Sequence, residues 1–399
     1  MTDAILVMNA GSSSLKFAVH SAVNPDAPPL IRGKITGIGT APAFEARTAQ
    51  GDPLPKGGLA RPDPALTQAG ATTALLRWLD DHDDGVRLIA AGHRVVHGGR
   101  DHDRPVRVTQ TIMADLAALI PLAPLHQPHN LAAIEAVAEH FPDLPQVACF
   151  DTSFHRTQPR LAQIYAIPRA LTDTGILSYG FHGLSYDYIA GVLPDHLGAL
   201  AEGRVIVAHL GNGASMCAMR DRRSVASSMG FTALDGLVMG RRCGALDPGV
   251  VLHLIREKGL TATEVEDMLY NRSGLLGVSG LSNDLRVLEA STDPAAAEAV
   301  ALFAWRAAQE LAALAATIGG VDAIVFTAGI GENSAHMRDL ICQQLGWMGV
   351  VIDDTANAEN RVRLSPSGVR IVVLVLPTNE ELVVARATQR ALSVGLAGA

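Results

Sequence analysis

The feature that most constrains this chain is a strand–turn–strand pattern that occurs twice. Residues 5–17 form an apolar run that stops at a turn of one glycine and three serines and then continues as an alternating strand. Residues 205–217 repeat this order, and Gly211 falls where Gly11 falls in the first copy. A repeat of this size predicts two copies of one folding unit, whose hairpins would hold the two ends of a polyphosphate. The alternative is chance similarity between two glycine-containing strand ends.

The first turn has the composition of a phosphate-binding loop. Small residues let backbone N–H groups approach a phosphate closely, serine hydroxyls add donors, and Lys16 adds a positive charge. The G-x-x-x-x-G-K-[ST] spacing of a Walker A loop is absent. A plain serine-rich hairpin is the alternative interpretation.

The composition narrows the class of protein. The 399 residues are enough for two domains with separate cores, and 48% of them are hydrophobic. A net charge of −8 without a Lys/Arg-rich run argues against nucleic acid or an anionic membrane as the main partner. Four scattered cysteines without a C-x-x-C motif predict reduced thiols in a cytoplasmic protein. We expect no signal peptide and no apolar stretch long enough to span a bilayer.

Strands alternate with helices along the rest of the chain, which predicts an α/β fold with ligands at the C-terminal ends of strands. Local signals predict a helix capped by Asn130, a capping box of Thr261 and Glu264, and a surface excursion of strands and loops over residues 39–70. Residues 323–334 combine a buried strand, a Gly-x-Gly turn and a helix, as in a nucleotide-binding turn. A tight strand–helix turn is the alternative. No acidic residue stands at the distance typical of a dinucleotide site, which argues against NAD.

Charged side chains at glycine-flanked strand ends are the first candidate chemical groups. Arg94 and Arg242 lie in such turns, where arginine binds a carboxylate or phosphate bidentately, although a lone arginine is usually a surface residue. Asp151 follows a predicted strand. It would position a nucleophile, accept a proton, hold a metal or cap a turn.

Two histidine pairs have metal-like spacing, His93-x-x-x-His97 and His126-x-x-His129. Both lack the glutamate of the H-E-x-x-H motif, and neither lies on a clear helix. Hydrogen bonding to a phosphate or to the backbone is therefore favoured over structural zinc.

Together these stretches resemble the acetate kinase family, acyl-phosphate-forming kinases related in fold to sugar kinases, actin and heat-shock chaperones. No single segment is decisive, but nine segments match in the family's order, which is highly specific. They are Asn9–Lys16, Gly92–Gly99, Ala123–His126, Phe150–His155, Tyr179–His182, His209–Gly213, Ser228–Thr232, Phe326–Ser334 and Pro377–Glu381.

The resemblance implies the reaction ATP + acetate ⇌ ADP + acetyl phosphate with Mg²⁺, or Mn²⁺ in its place, in a cytoplasmic homodimer. It also implies an α/β fold of two duplicated actin-like (ribonuclease H-like) domains with a nucleotide cleft between them. We expect residues 1–150 with 381–399 to form the acyl- and phosphate-side domain, closed by the C-terminal helix. Residues 151–380 would form the nucleotide-binding domain.

By matching position, the resemblance also implies roles for individual residues. The catalytic residues would be Asp151, His182 and Arg242. The substrate-binding residues would be Arg94, for the acyl carboxylate, with His126, Val96, Leu125, Phe181 and Ala233. The residues beside the Mg²⁺ would be Asn9 and Glu380. The ATP-binding residues would be Lys16, His209, Leu210, Gly211, Asn212, Gly213, Asp284, Leu285, Arg286, Gly329, Ile330, Gly331, Glu332 and Asn333.

This chemistry needs little acid–base catalysis. An acetate-like substrate is already ionised at neutral pH, so no strong base has to generate the nucleophile. A cation must hold the carboxylate against repulsion from ATP, and donors must face the equatorial phosphoryl oxygens. Arg94, Arg242, His182 and Mg²⁺ are groups of these kinds. We therefore expect Asp151 to orient the site, or its metal, more than to take a proton.

The sequence departs from the family pattern at five positions: Gln127 for Asn, Tyr186 for His, Arg241 for Thr, Ala245 for Asp and Ala233 for Pro. Loss of the proline at the edge of the acyl pocket is expected to widen it by about a methylene or two. Size discrimination is only ~1–3 kcal/mol per methylene, so a propionate or short-chain acyl kinase is an alternative. An actin- or chaperone-like ATPase switch is a second alternative, although a switch would not need two cleft arginines. A kinase that uses a phosphoryl donor other than ATP, such as pyrophosphate or another nucleoside triphosphate, is a third alternative.

Overall fold

The computed structural model describes residues 1–11, 13–60, 63, 65–82 and 85–396. Ser12, in the predicted phosphate-binding turn, lies outside the described residues, as do residues 61, 62 and 64 of the 39–70 excursion and residues 397–399 of the predicted first domain. The chain divides into two compact units. The first comprises Met1–Phe154 and the chain from Asn379 onward, and the second comprises His155–Thr378.

Within the described residues the strands, in chain order, are β1 Thr2–Ala10, β2 Ser14–Ser21, β3 Ile31–Thr36, β4 Ala43–Thr48, β5 Val86–Val95, β6 Val106–Arg107, β7 Gln146–Phe150, β8 Arg204–Leu210, β9 Ala214–Arg220, β10 Arg223–Ser227, β11 Ala323–Thr327 and β12 Val372–Val375. The helices are α1 Gln68–Asp80, α2 Gln110–Ala118, α3 Gln127–His140, α4 Arg160–Gln163, α5 Arg169–Asp173, α6 Gly183–Leu197, α7 Pro248–Arg256, α8 Ala262–Asn271, α9 Gly274–Ser279, α10 Leu285–Glu289, α11 Pro294–Thr317, α12 Ala328–Asn333, α13 Ala335–Gln344, α14 Asp354–Ala358 and α15 Glu380–Leu396. The predicted α/β class is confirmed.

The two sheets are built on one plan. The first unit has the order β4-β3-β2-β1-β5-β7-β6, and the second has β10-β9-β8-β11-β12. In each, the first strand of an antiparallel hairpin (β1–β2 or β8–β9) pairs with a parallel strand (β5 or β11), which pairs in turn with a second parallel strand (β7 or β12). The segments β3-β2-β1-β5-β7 and β10-β9-β8-β11-β12 are therefore equivalent, as the repeated hairpin predicted.

The core of the first unit lies between the sheet and helices α1 and α3. There the rings of Phe17 and Phe44 stack on each other, and Trp78 packs edge-to-face against both. Helix α15 packs on β1, β5 and β7. Gly92 on β5 permits this approach, because a Cβ there would overlap Thr388 of α15. The parallel strands β1, β5 and β7 end at one edge, and this edge carries the site.

The core of the second unit includes one face of the long helix α11, whose buried residues are mainly alanine and leucine. By length and composition α11 is apolar enough to cross a membrane, contrary to the expectation that no stretch is. Half of the most apolar 18-residue stretch of α11 is buried inside the protein, which is typical of a core helix. All four cysteines are free thiols.

Two local predictions are wrong and one is confirmed. Helix α3 begins at Gln127, so Asn130 is an interior residue and not a cap. Its side-chain oxygen accepts the Val96 N–H at 3.0 Å and its amide donates to the Ala10 carbonyl at 2.7 Å, linking β5 to β1. The predicted Gly-x-Gly turn is itself helical, because α12 begins directly after β11. The capping box of Thr261 and Glu264 is confirmed.

Candidate active site

The first unit gathers three predicted residues around the guanidinium of a fourth, here called the Arg94 cluster: Asn9, Arg94, Asp151 and Glu380. Arg94 donates from Nε and Nη2 to the two Asp151 oxygens at 3.0 and 2.6 Å, and from Nη1 to Asn9 Oδ1 at 3.1 Å. Glu380 Oε2 lies 3.6 Å from Arg94 Nε. Asn9, Arg94 and Asp151 come from the ends of β1, β5 and β7, and Glu380 begins α15.

Burial and charge compete at Arg94. Desolvation disfavours the charged guanidinium, but the carboxylates of Asp151 and Glu380 outweigh it and raise the pKa of Arg94 above its ordinary value. The Asp151 side chain is only 2% exposed, and its two bonds to Arg94 keep its buried charge paired. The Arg94 cluster carries one positive and two negative charges, so it presents oxygen ligands with one surplus negative charge.

The second unit gathers a set of imidazole and hydroxyl groups, here called the His182 cluster: His182, Ser185, Tyr186, His209 and Ser215. His182 and His209 stack with ring centroids 4.2 Å apart and an interplanar angle of 15°. His182 Nδ1 lies 2.8 Å from Ser215 Oγ, and the Tyr186 hydroxyl lies 2.5 Å from the same oxygen. His209 Nδ1 lies 2.8 Å from Ser185 Oγ, which donates to Thr378 Oγ1 at 2.8 Å.

Local geometry explains why these groups meet. His182 has a left-handed backbone (φ 56°) immediately before α6, and Ser185 and Tyr186 lie three and four residues later on the same helix face. On the β8–β9 hairpin, the antiparallel register sets His209 directly opposite Ser215. One helix face and one strand pair therefore meet at the His182 cluster.

Gly213 brings His182 and Arg242 to the same place. A Cβ on Gly213 would lie 2.8 Å from Arg242 Nη2 and 3.4 Å from His182 Nε2. Arg242 Nη1 donates to the Ala233 carbonyl, which ties the arginine to the loop of the predicted acyl pocket. A cationic donor and an imidazole nitrogen thus border one glycine.

A cavity of ≈ 600 Å³ in the second unit is lined by most of the predicted ATP-binding residues. These are Gly211, Asn212, Asp284, Leu285, Arg286, Gly329, Ile330 and Asn333, with Asn283, Glu289 and Ser334 in addition. Glu332 is not among the lining residues, and its carboxylate accepts the N–H groups of Ala328 and Thr378 at 2.8 and 3.2 Å. Glu332 therefore holds the turn in shape.

The remaining predicted residues are placed as follows. Lys16 lies exposed on β2 in a groove that it shares with Arg32, Arg47 and Glu381. In the first unit, Val96 is buried and Leu125 and His126 are half-buried. In the second unit, Phe181, His209 and Leu210 are buried, Ala233 is half-buried, and Gly331 accepts from buried Arg338 through its carbonyl.

Of the two histidine pairs with metal-like spacing, His93 and His97 are buried, whereas His126 and His129 are half-buried. His93 Nε2 lies 2.7 Å from Gln146 Oε1, and burial lowers the pKa of His93 to about 4. Among the described residues, no group of three or more His, Cys, Asp or Glu side chains could hold a metal ion.

Sequence reasoning missed Ser185, Ser215, Asn283 and Glu289. The signal for Ser215 was present, because a hairpin that places His209 at the end of one strand places a partner opposite it on the next. Asn283 and Glu289 flank the predicted segment 284–286 but carry no motif of their own.

Comparison with known proteins identifies relatives over nearly the whole chain. The model of the acetokinase family matches residues 4–386. An acetate kinase of Rhodopseudomonas palustris is 52% identical over 396 residues, covering 97% of this chain and 98% of the relative. A crystal structure of a propionate kinase from Francisella tularensis superposes with a TM-score of 0.89 at 36% identity, covering 97% of this chain and 99% of that one. The acetate kinase of Porphyromonas gingivalis gives a TM-score of 0.86 at 34% identity, covering 98% and 100%.

Proposed function

The chain belongs to the acetokinase family, and from that premise we propose that it is an acetate kinase, which transfers the γ-phosphoryl group of ATP reversibly to acetate. The observation that carries the proposal is the pair of strand-end sites: an arginine held among oxygen ligands in the first unit, and an arginine and a histidine sharing Gly213 in the second. A phosphoryl group and a carboxylate both require donors of these kinds.

Direct in-line transfer fits these groups. The substrate carboxylate is ionised at neutral pH and is itself the nucleophile, so the step needs positioning and charge stabilisation more than proton transfer. Arg94 would bind the carboxylate. His182 and Arg242 would donate to the equatorial phosphoryl oxygens as charge spreads over them. Asp151 would fix the Arg94 guanidinium, as its two hydrogen bonds indicate.

The oxygen-rich Arg94 cluster also suits the divalent cation that the family is expected to use. Asn9, Asp151 and Glu380 offer one amide and two carboxylates, the hard ligands that Mg²⁺ prefers. When bound, Mg²⁺ would neutralise charge on the phosphate oxygens of the nucleotide.

The decisive experiment traps the acyl phosphate with hydroxylamine. Purified protein is incubated with Mg-ATP and acetate, propionate or butyrate in parallel, and the specificity constants are compared. We expect the highest value with acetate. Absence of hydroxamate with every acid, while ATP is still bound or hydrolysed, would overturn the proposal in favour of a nucleotide-dependent switch. Replacing ATP by pyrophosphate or GTP in the same assay identifies the donor.

A propionate kinase is the second candidate, because Ala233 stands where the family pattern has proline and a structural relative is a propionate kinase. If propionate leads in the hydroxamate assay, the fold and the mechanism stand and the substrate changes.

Assembly as a homodimer and a cytoplasmic location complete the proposal. Helix α7 supports a dimer, because none of its residues is buried and Val250, Leu252 and Ile255 are 38–49% exposed. An exposed apolar helix face is typical of an interaction surface. Light scattering should give twice the chain mass of 41.9 kDa, and Leu252→Glu should reduce it to one chain.

A further inference from the structure

We propose that Tyr186 and Ser215 form a two-hydroxyl relay that fixes His182 with its proton on Nε2, so that His182 acts as an uncharged hydrogen-bond donor. The role of that donor toward the phosphoryl group rests on the proposed function. The relay itself concerns only the protein and can be measured without turnover.

The relay has a fixed path. Tyr186 is 0% exposed, and its ring packs edge-on against His155 and His209 with centroids 5.6 and 6.4 Å away. This packing sets the hydroxyl 2.5 Å from Ser215 Oγ. Ser215 is also 0% exposed, and its oxygen lies 2.8 Å from His182 Nδ1. Both hydroxyls are thus shielded from water and bonded within this chain of groups.

The direction of the relay follows from acidity. A phenol is far more acidic than an aliphatic alcohol and is the better donor, so Tyr186 donates to Ser215 Oγ. Ser215 has a single hydrogen, which is then directed to His182 Nδ1. A neutral imidazole that accepts at Nδ1 carries its proton on Nε2.

The neighbouring ring has the opposite arrangement. Ser185 donates its hydrogen to Thr378 Oγ1, so His209 Nδ1 must be the donor to Ser185. Two imidazolium rings stacked at 4.2 Å would repel each other, which favours a neutral form in the pair. The two stacked histidines are therefore held as complementary tautomers.

The consequence concerns the space at Gly213. His182 Nε2 and Arg242 Nη2 both lie within 3.4 Å of the position that a Gly213 Cβ would take. With the proton on Nε2, the site offers one neutral and one cationic donor without having to protonate a histidine. Without the Tyr186 hydroxyl, Ser215 is free to rotate, and His182 is expected to populate both tautomers.

The test is ¹⁵N NMR of the full chain labelled at histidine, with His182→Gln used to assign the resonances. We expect the wild type to show a protonated Nε2 and an unprotonated Nδ1 for His182. Tyr186→Phe, which preserves the ring, should shift the Nδ1 and Nε2 resonances toward their average. It should also lower kcat about 5- to 20-fold while the KM for ATP changes less than twofold.

Three further variants complete the design. Tyr186→His, which restores a donor, should recover kcat to within about threefold of wild type. Tyr188→Phe removes a hydroxyl from the same helix and should change neither the spectrum nor kcat. Ser215→Ala should resemble Tyr186→Phe. A protonated Nδ1 in the wild type, or a Tyr186→Phe protein with unchanged spectrum and kcat, would overturn the relay. Absence of acyl phosphate from the wild type would overturn the proposed function but leave the tautomer result standing.

Discussion

Asn9 of the Arg94 cluster and His209 of the His182 cluster stand at equivalent places in two sheets of one plan, yet different forces hold the two clusters. The Arg94 cluster consists of three charged groups, a guanidinium and two carboxylates, together with one neutral amide. The His182 cluster consists of imidazoles and hydroxyls, with the cation of Arg242 beside it. A buried ion pair is costly to break because the survivor keeps an unpaired charge, whereas losing one neutral hydrogen bond costs much less. The two clusters should therefore tolerate substitution very differently.

The largest effect is expected in the Arg94 cluster. Arg94→Gln should lower kcat/KM by about a thousandfold or more and destabilise the first unit by about 3–5 kcal/mol, because Asp151 is left buried without its cation. Arg87→Gln is the matched control. Its ion pair with Asp3 is exposed, and its loss should cost about 1 kcal/mol or less. An active, stable Arg94→Gln enzyme would contradict the assigned role.

The next largest effect is a loss of stability at acidic pH, and we expect it in both units for the same reason. Burial lowers the pKa of His93 in the first unit and of His155 in the second to about 4. In the unfolded chain these histidines bind their protons near pH 6.5. Their contribution to the free energy of unfolding is therefore fully present above that pH and falls as the pH drops toward 4. Each histidine should account for about 3 kcal/mol over this range.

Urea unfolding at pH 7.5, 6.0 and 5.0, with hydrogen exchange to resolve the units, measures this loss. His93→Gln should flatten the pH dependence of the first unit only, and His155→Gln that of the second only. A pH dependence that neither variant changes would assign it to other groups.

A smaller effect, on activity alone, is expected from adding a methyl group beside His182 and Arg242. Gly213→Ala would place a methyl group 2.8 Å from Arg242 Nη2, so kcat should fall about 10- to 100-fold through displaced donors. The melting temperature should change little, because no buried charge loses its partner. Gly191→Ala on α6 is the control, since its Cβ would meet no atom within 4 Å. Equal activities of the two variants would contradict the placement of donors at Gly213.

The smallest effect concerns selectivity. Ala233→Pro restores the family residue and leaves intact the carbonyl that accepts from Arg242. We expect the propionate-to-acetate ratio of kcat/KM to fall about 5- to 10-fold, which is the lower end of the ~1–3 kcal/mol expected for one methylene. The KM for ATP serves as the internal control. An unchanged ratio would remove Ala233 from the specificity determinants.

Much of this arrangement could be predicted because strand ends and glycine turns have strong local signals. The two hairpins, the strand that delivers Asp151 and the strand that carries Arg94 all follow from apolar runs that stop at small residues. The start of α3 was misplaced because Asn130 looks like a cap in sequence, whereas its amide satisfies backbone groups of β1 and β5.

Other features depend on tertiary contacts that no local pattern encodes. The partnership of Ser215 with Tyr186 depends on α6 packing against the β8–β9 hairpin. The helical form of residues 328–333 depends on a left-handed Ala328 held by the Glu332 carboxylate. Likewise, α11 has the composition of a membrane span, and only its burial identifies it as a core helix.

The packing of α15 has a consequence for synthesis on the ribosome. The first unit needs α15, which fits against Gly92 and is tied to the β2 side by Arg386–Asp26 and Gln389–Ala22 hydrogen bonds. Every residue of the second unit precedes α15 in the chain. Synthesis of the first unit therefore begins before that of the second unit and ends after it. The face of β1, β5 and β7 that α15 covers stays exposed until the whole second unit has been synthesised. Chaperone demand during translation should accordingly fall on the N-terminal sheet.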